Sequence, residues 1–133
     1  MRRLDFRILV CMEIGRAEVG KLGEDAACEY LVDKGYKIIE RNHRKPWGEI
    51  DIVVRSKNST LVFVEVKTMK SYFSQGLQPE DQMTTDKLKK FRRAASLYAG
   101  HRPDLIDDRK GWRLDLSTVT LNPKVVKHYE NIV

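Results

Sequence analysis

The chain has 133 residues, a length typical of one domain with its own hydrophobic core. Hydrophobic residues make up 41% of the chain and charged residues 33%, which fits a soluble globular protein, and no apolar run approaches the ~18 residues of a membrane-spanning helix. The net charge of +6 favours a polyanionic partner such as nucleic acid, with a basic solvated surface as the alternative. Basic charge also allows contact with another protein or a membrane surface, but that interpretation leaves the charged strand residues unexplained, and we expect no membrane partner.

Residues 1–15 show no clear hydrophobic period, and we expect them to form an N-terminal extension to a single domain over residues 16–133. Arg7 interrupts the first apolar run, so a signal peptide is not expected. Cys11 and Cys28 lack the spacing of metal ligands and indicate a reducing compartment without a disulfide framework. We therefore expect a cytoplasmic protein.

The first predicted element is a helix that begins near Arg16 and ends at Gly35, a residue that adopts the left-handed cap without strain. Its apolar stripe consists of Val19, Leu22, Ala26, Ala27, Tyr30 and Leu31. Glu24 lies on the flank of this stripe, where it faces either solvent or a site on a neighbouring sheet.

A short strand is predicted over residues 36–40, followed by a basic loop over residues 41–47. Two β-branched runs, 48–55 and 60–67, then flank the polar segment 56–59 and are typical of a β-hairpin.

A polar loop from Thr68 to Gln78 leads to Pro79, which suits the first turn of a second helix ending at Gly100. The residues predicted to face inward are Met83, Leu88, Phe91, Ala95 and Tyr98. The predicted outer face is basic and carries Lys87, Lys89, Lys90, Arg92 and Arg93. Such a face binds phosphates or is simply solvated.

Alternating residues predict a strand over 112–119, and Asn122-Pro123 then turns the chain toward a last edge strand at 125–129. The resulting order, α-β-β-β-α-β, predicts an α/β fold with a central mixed sheet flanked by helices. Asp115, inside the fourth strand, is expected to support the fold or pair with an arginine.

Three charged residues interrupt the apolar hairpin strands: Asp51, Glu65 and Lys67. Strand alternation puts Glu65 and Lys67 on one face. A four-residue loop would turn Asp51 away from Glu65, whereas a loop one residue shorter or longer, or a bulge, would bring them together. We expect the second register, because a slip by one residue would bury charges among valines.

Two carboxylates and a nearby carbonyl form a hard oxygen site that suits Mg²⁺ or Mn²⁺. A lysine beside such a site orients a metal-bound water or stabilises charge on a phosphate. These parts fit metal-assisted hydrolysis of a phosphodiester, and the flanking phosphates would contact basic side chains. The candidates for those contacts are Arg41, Arg44, Lys45, Lys87 and Lys90.

Several of these motifs resemble those of the PD-(D/E)XK nuclease superfamily, and in detail those of the YraN-like family of small bacterial proteins. The matching segments are Gly23-Glu24, Tyr36, Arg41-Asn42, Gly48-Glu49-Ile50-Asp51, Val64-Glu65-Val66-Lys67 and Arg113-Leu114-Asp115. The resemblance implies a restriction-endonuclease-like core, with Asp51 and Glu65 as metal ligands and Lys67 as the catalytic lysine. Glu24 matches a helix glutamate of archaeal Holliday-junction resolvases, which implies a further ligand or a water-positioning residue.

The sequence therefore predicts a metal-dependent endonuclease acting on DNA, with branched or otherwise structured DNA as a candidate substrate. A homodimer is consistent with this function, because cutting two strands usually needs two active sites. The alternative is a non-catalytic nucleic-acid-binding or adaptor module that retains the fold. Trp47 is either a base-stacking residue or part of the core, and Gln82 and Lys87 are further candidates to line the site.

Overall fold

The structure, a computed structural model, describes residues 15–71 and 83–132. The predicted N-terminal extension, with Cys11, and the segment from Pro79 to Gln82 lie outside the described residues. The elements in chain order are α1 (Arg16–Asp33), β1 (Lys37–Lys45), β2 (Gly48–Arg55), β3 (Leu61–Ser71), α2 (Thr85–His101), a 3₁₀ turn (Pro103–Leu105), β4 (Trp112–Asn122) and β5 (Lys124–Tyr129).

The strands form a five-stranded mixed sheet in the order β1-β2-β3-β4-β5. Strands β3 and β4 are parallel, and the other neighbours are antiparallel. Helix α2 lies in the crossover that parallel pairing requires. The predicted α-β-β-β-α-β order is confirmed, with β5 as the added edge strand, and the architecture is that of a restriction-endonuclease-like core. No helix in the described ranges has the length and apolar character needed to cross a membrane.

Each face of the sheet carries its own hydrophobic cluster. On one face, β2, β3 and β4 pack against α2 through side chains that include Phe63, Phe91 and Tyr98. On the other face, α1 covers a cluster that includes Leu31 and Val62. Burial on both faces explains why the hairpin strands are nearly continuous apolar runs. Any charged side chain in these runs therefore lies where the helices leave a gap.

The prediction of a basic loop over residues 41–47 was wrong, because β1 continues to Lys45 and pairs with Gly48. A register shift between Ile38 and Glu40 and a left-handed Asn42 (φ 53°) disturb the alternation by which a strand is recognised. The charged side chains are tolerated because β1 is an edge strand.

The first helix ends as predicted, with Gly35 in the left-handed region (φ 93°), but Leu22 of the predicted stripe is 40% exposed. Helix α2 begins at Thr85, later than predicted, and the Thr84 side chain caps it by accepting the Lys87 N–H at 3.2 Å. Residues 68–71, predicted as loop, belong to β3.

Gly23 lets α1 lie directly against β3. A Cβ at this position would lie 1.8 Å from Thr68 Oγ1 and 2.7 Å from Thr68 Cβ. Because Thr68 Cβ cannot move without its backbone, we expect Gly23→Ala to lower the free energy of unfolding by about 1–3 kcal/mol, measured by urea denaturation. Gly20→Ala is the matched control, because no described atom lies within 4 Å of its Cβ. It should stabilise by roughly 0.5–1 kcal/mol, and equal effects of both changes would contradict the assigned contact.

Candidate functional site

The register of the β2–β3 hairpin places the two predicted carboxylates, Asp51 and Glu65, next to each other on adjacent strands. Ile52 lies opposite Val64 and Arg55 lies opposite Leu61, so the loop contains five residues, 56–60, rather than four. This register places Asp51 beside Glu65 and confirms the co-location that the sequence left open between two registers.

Asp51 lies where β2 separates from β3. The pairing of these strands runs only from Ile52 to Arg55, and beyond it the Asp51 Oδ2 atom accepts the Val66 N–H at 2.8 Å. Ile50 packs in the α2-side cluster and Ile52 in the α1-side cluster, although regular alternation would put both on one face. The strand therefore changes face at Asp51, which leaves its carboxylate in the gap between the strands.

Glu65 and Lys67 lie next to this carboxylate on β3. Glu65 Oε1 is 3.2 Å from Lys67 Nζ, and the two side chains are 22% and 20% exposed. Burial and, after it, the charge of Asp51 raise the pKa of Glu65 to about 7, against the opposing effect of Lys67. The two carboxylates therefore repel each other when both are ionised, and a further cation would reduce this repulsion.

Two clefts meet at these three residues. The cleft on the α2 side has a volume of about 530 Å³ and the cleft on the α1 side about 590 Å³, and Asp51, Glu65 and Lys67 line both. Basic residues of the α2-side cleft are Lys87, Lys90 and Arg93. Basic residues of the α1-side cleft, besides Lys67, are Arg16 and Lys70. The carboxylates therefore lie in a continuous, positively lined depression.

Glu24 is brought to the same place by α1, where it lines the α1-side cleft with its side chain 13% exposed. Burial and the charge of Asp51 raise its pKa, while Asn42, Arg44 and Arg41 act in the opposite direction. The predicted proximity of Glu24 to the strand carboxylates is thus present in the structure.

The predicted phosphate contacts divide into two groups. Lys87 and Lys90 line the cleft, as the prediction requires. Arg44 instead bonds the site carboxylates, with Nη2 at 3.3 Å from Asp51 Oδ1 and 3.9 Å from Glu24 Oε1. Arg41 donates to Asp25 at 2.7 Å.

Lys45 lines a separate pocket beside Trp47 and is not with the three central residues.

Sequence reasoning placed Arg93 on the basic helix face but did not single it out as a site residue, and it did not consider Arg16 and Lys70. The position of Arg93 could have been inferred, because Lys87, Lys90 and Arg93 follow a three-residue spacing that shares a helix face. Arg16 and Lys70 gave no such signal, since their place at the cleft depends on how α1 docks on β3.

The oxygen donors of Asp51 and Glu65 fit a hard divalent cation such as Mg²⁺ or Mn²⁺. Within the described residues, no group of three Asp, Glu, His or Cys side chains is arranged around a metal position. Mg²⁺ commonly uses one or two carboxylates and keeps several waters, so a pair of acids in an open cleft is sufficient for it.

A second polar cluster lies on β4 and β5. Asp115, which is fully buried, accepts from Arg113 Nε at 3.0 Å, His128 Nε2 at 2.8 Å and the Asn131 N–H at 3.0 Å. Burial acts to raise its pKa, but the bonds from His128 and Arg113 hold the pKa below the usual value. Ser117 Oγ lies 2.6 Å from His128 Nδ1, so the order resembles a catalytic triad.

Ser117 is fully buried, which leaves a substrate no access to its hydroxyl. This cluster therefore fastens β5 and the C-terminal segment to β4, and the predicted fold-supporting role of Asp115 fits these bonds.

A family model and individual relatives of this chain point to the same protein family. The model of the uncharacterised protein family UPF0102 matches residues 23–119. A UPF0102 protein of Corynebacterium efficiens is 34% identical over 125 residues, which cover 91% of this chain and 96% of that protein. A relative from Thermodesulfovibrio yellowstonii is 35% identical, and the match covers 89% of this chain and 97% of that protein. A relative from Pseudothermotoga lettingae is 38% identical, and the match covers 84% of this chain and 95% of that protein.

Among solved structures, Pyrococcus furiosus SfsA in complex with Ca²⁺ aligns with a TM-score of 0.33 and 15% identity. The alignment covers 88% of this chain and 64% of that chain, and the likeness is too weak to support a conclusion. The family match covers most of the chain, and relatives of nearly the same length agree with it. The chain therefore belongs to the uncharacterised protein family UPF0102, the YraN-like family that its motifs resemble.

Proposed function

We propose that this protein is a nuclease that hydrolyses phosphodiester bonds in nucleic acid, DNA first, with Mg²⁺ or Mn²⁺ held by Asp51 and Glu65. The observation that carries the proposal is the convergence of two carboxylates and Lys67 at the junction of two clefts with basic walls. Burial and the adjacent charge of Asp51 raise the pKa of Glu65 to about 7, and neither a salt-bridged surface nor a hydrophobic core accounts for two acids placed together in this way.

The carboxylates supply the metal-binding part of the site. Asp51 Oδ2 is held by the Val66 N–H, and Oδ1, which is 3.3 Å from Arg44 Nη2, is the oxygen that would bind the metal at the cleft. When bound, a divalent cation supplies Lewis-acid activation and neutralises charge on the phosphate. Arg44, which contacts both Asp51 and Glu24, orients the Asp51 carboxylate and balances the charge of the two acids.

Lys67 is the residue that acts on the substrate. Its ammonium group lies 3.2 Å from Glu65 and opens onto both clefts, where it can donate to a phosphate oxygen or hold the attacking water. Lys87, Lys90 and Arg93 would hold neighbouring phosphates along the α2-side wall, a contribution that weakens with salt.

The test is cleavage of end-labelled duplex, single-stranded and four-way-junction DNA by the purified protein, with Mg²⁺, Mn²⁺ or EDTA. Products are expected with either metal and not with EDTA. Absence of products from every DNA substrate under both metals would contradict the proposal. An RNA strand of the same sequence serves as the comparison that defines the sugar specificity.

A second candidate function is nucleic-acid binding without turnover. The observation that favours it is that each strand carboxylate already has a cationic partner, Arg44 for Asp51 and Lys67 for Glu65. This function predicts salt-sensitive DNA binding that survives Asp51→Asn and Glu65→Gln, with no cleavage by the wild-type protein.

A further inference from the structure

An aromatic pocket adjoins the α2-side cleft and takes no part in the chemistry described above. It is lined by Glu40, His43, Lys45, Trp47, Tyr98, His101 and Arg102 and has a volume of about 360 Å³. This volume is within the range of small-molecule pockets, roughly 300–1,000 Å³. Trp47 lines both this pocket and the cleft that holds Asp51 and Glu65, so it forms the wall that they share.

The rings of the pocket form one connected aromatic surface. The His43 ring lies 5.5 Å from the Trp47 ring and packs edge-on to Tyr98 at 4.9 Å. The ring of Trp47 lies 6.1 Å from the ring of His101, at an interplanar angle of 21°. Trp47 is only half-buried and His101 is exposed, so the two nearly parallel rings present π-surface to solvent. Such a surface is suited to stacking against a flat aromatic ligand.

The hydrogen bonds of the pocket argue against a cationic ligand. Glu40 is its carboxylate, and both oxygens are used, since Oε2 accepts from His43 Nδ1 at 2.5 Å and Oε1 accepts from the Tyr98 hydroxyl at 3.2 Å. Burial and Glu40 raise the pKa of Tyr98 to about 12, which keeps the phenol protonated as a donor. The Glu40 carboxylate therefore holds the rings of His43 and Tyr98 in place.

One polar atom of a pocket residue has no hydrogen-bond partner among the described residues. His43 is 9% exposed, and its Nε2 atom is buried without a hydrogen bond to any described residue. With Nδ1 donating to Glu40, Nε2 of the neutral ring is an acceptor. Nucleobases combine a flat aromatic face with an amino or imino N–H edge, and such an edge would satisfy this buried nitrogen after a turn of the His43 ring toward the pocket.

We propose that this aromatic pocket binds an unpaired nucleobase of the same strand whose phosphate lies at Asp51, Glu65 and Lys67. The inference rests on the proposed function, because it supplies the substrate class of that site: nucleic acid with single-stranded character. Bases inside a duplex have both faces covered by stacking, so only a single strand, a loop or a branch point offers the face that Trp47 and His101 require. Lys45, at the pocket wall, contacts the adjoining phosphate.

The test is a binding measurement in EDTA, where no cleavage occurs. Binding is monitored by the fluorescence anisotropy of a fluorescein-labelled single strand and, separately, of its duplex. Trp47→Ala should weaken single-strand binding about tenfold or more, while Trp47→Phe, which keeps a ring, should lose less. His101→Ala, at an exposed position, should weaken it severalfold and is the second variant if Trp47→Ala is unstable in thermal melts. Duplex affinity should change little in each case.

Lys45→Ala should reduce the salt slope of single-strand binding by about 1, with Lys37→Ala, an exposed residue at the other end of β1, as the matched control. Unchanged single-strand affinity in the folded Trp47 and His101 variants, or equal losses for single strand and duplex, would overturn the inference. That result would leave hydrolysis by the wild-type protein untouched. Conversely, selective loss of single-strand binding in a protein that cuts nothing would support the pocket and reject the nuclease.

Discussion

Asp51→Asn should reduce the single-turnover cleavage rate in Mg²⁺ on the order of a thousandfold. Asparagine has nearly the same shape, and its oxygen can still accept the Val66 N–H that Asp51 accepts at 2.8 Å, so the strand geometry is retained. What is lost is the negative charge that holds a divalent cation. DNA affinity in EDTA should be equal or higher, because one repulsive charge has been removed from the cleft.

Asp108→Asn, in the exposed loop before β4, removes the same charge far from the cleft and should leave the cleavage rate within about twofold. Lys67→Ala should cause a loss comparable to that of Asp51→Asn, since the two act as a unit. If both variants cut DNA as fast as the wild-type protein does, the measured activity does not belong to this site. A contaminating nuclease would show that pattern.

The second large effect concerns the stability of the metal-free protein between pH 4.5 and 7. The ordinary pKa of 4.5 for Glu65 is raised to about 7 by burial and by Asp51, so the native protein keeps a proton that the unfolded chain has lost. Because the native state binds more protons at Glu65 in this window, the stabilising contribution of this group is fully present below about pH 4.5 and is lost as the pH rises to about 7. The contribution of Glu65 to this fall is up to about 3 kcal/mol.

Urea denaturation at a series of pH values in EDTA measures this slope. Glu65→Gln should reduce the slope and make the protein more stable than the wild type at pH 8, since an amide carries no charge beside Asp51. Glu49→Gln, at a position where the side chain is 71% exposed, is the control and should leave the slope unchanged. An unaltered slope in Glu65→Gln would mean that another group titrates.

Added Mn²⁺ should reverse this pH effect. A cation that binds only the native state stabilises it by mass action, and it binds ionised carboxylates better than protonated ones. The gain in melting temperature should therefore be larger at pH 8 than at pH 5.5, and it should disappear in Glu65→Gln. A gain that is equal in both proteins would place the metal elsewhere.

The sequence was sufficient to predict the elements whose pattern is local. The period of α1, its end at Gly35 and the shared face of Glu65 and Lys67 follow from helix and strand geometry alone. The position of Asp51 depended on one loop residue, and only the structure shows that the loop runs from 56 to 60.

Features that depend on tertiary contacts or on local irregularity could not be predicted. Asn42 in the left-handed region and the shifted register of β1 concealed a strand that has the composition of a loop. Arg44 belongs to a basic segment, but its pairing with Asp51 and Glu24, which come from β2 and α1, gave no signal in the sequence. A charge pattern gives the sign of a surface and does not identify the partner of each charge.

The face change of β2 at Asp51 also determines which bonds in a polymer the protein could reach. Because the carboxylate can be approached from above and below the sheet, a long chain can lie across it with both of its tails outside the protein. If the proposed function holds, a strand bound in this way would be cut at an interior linkage, so rings and open chains would both serve as substrates.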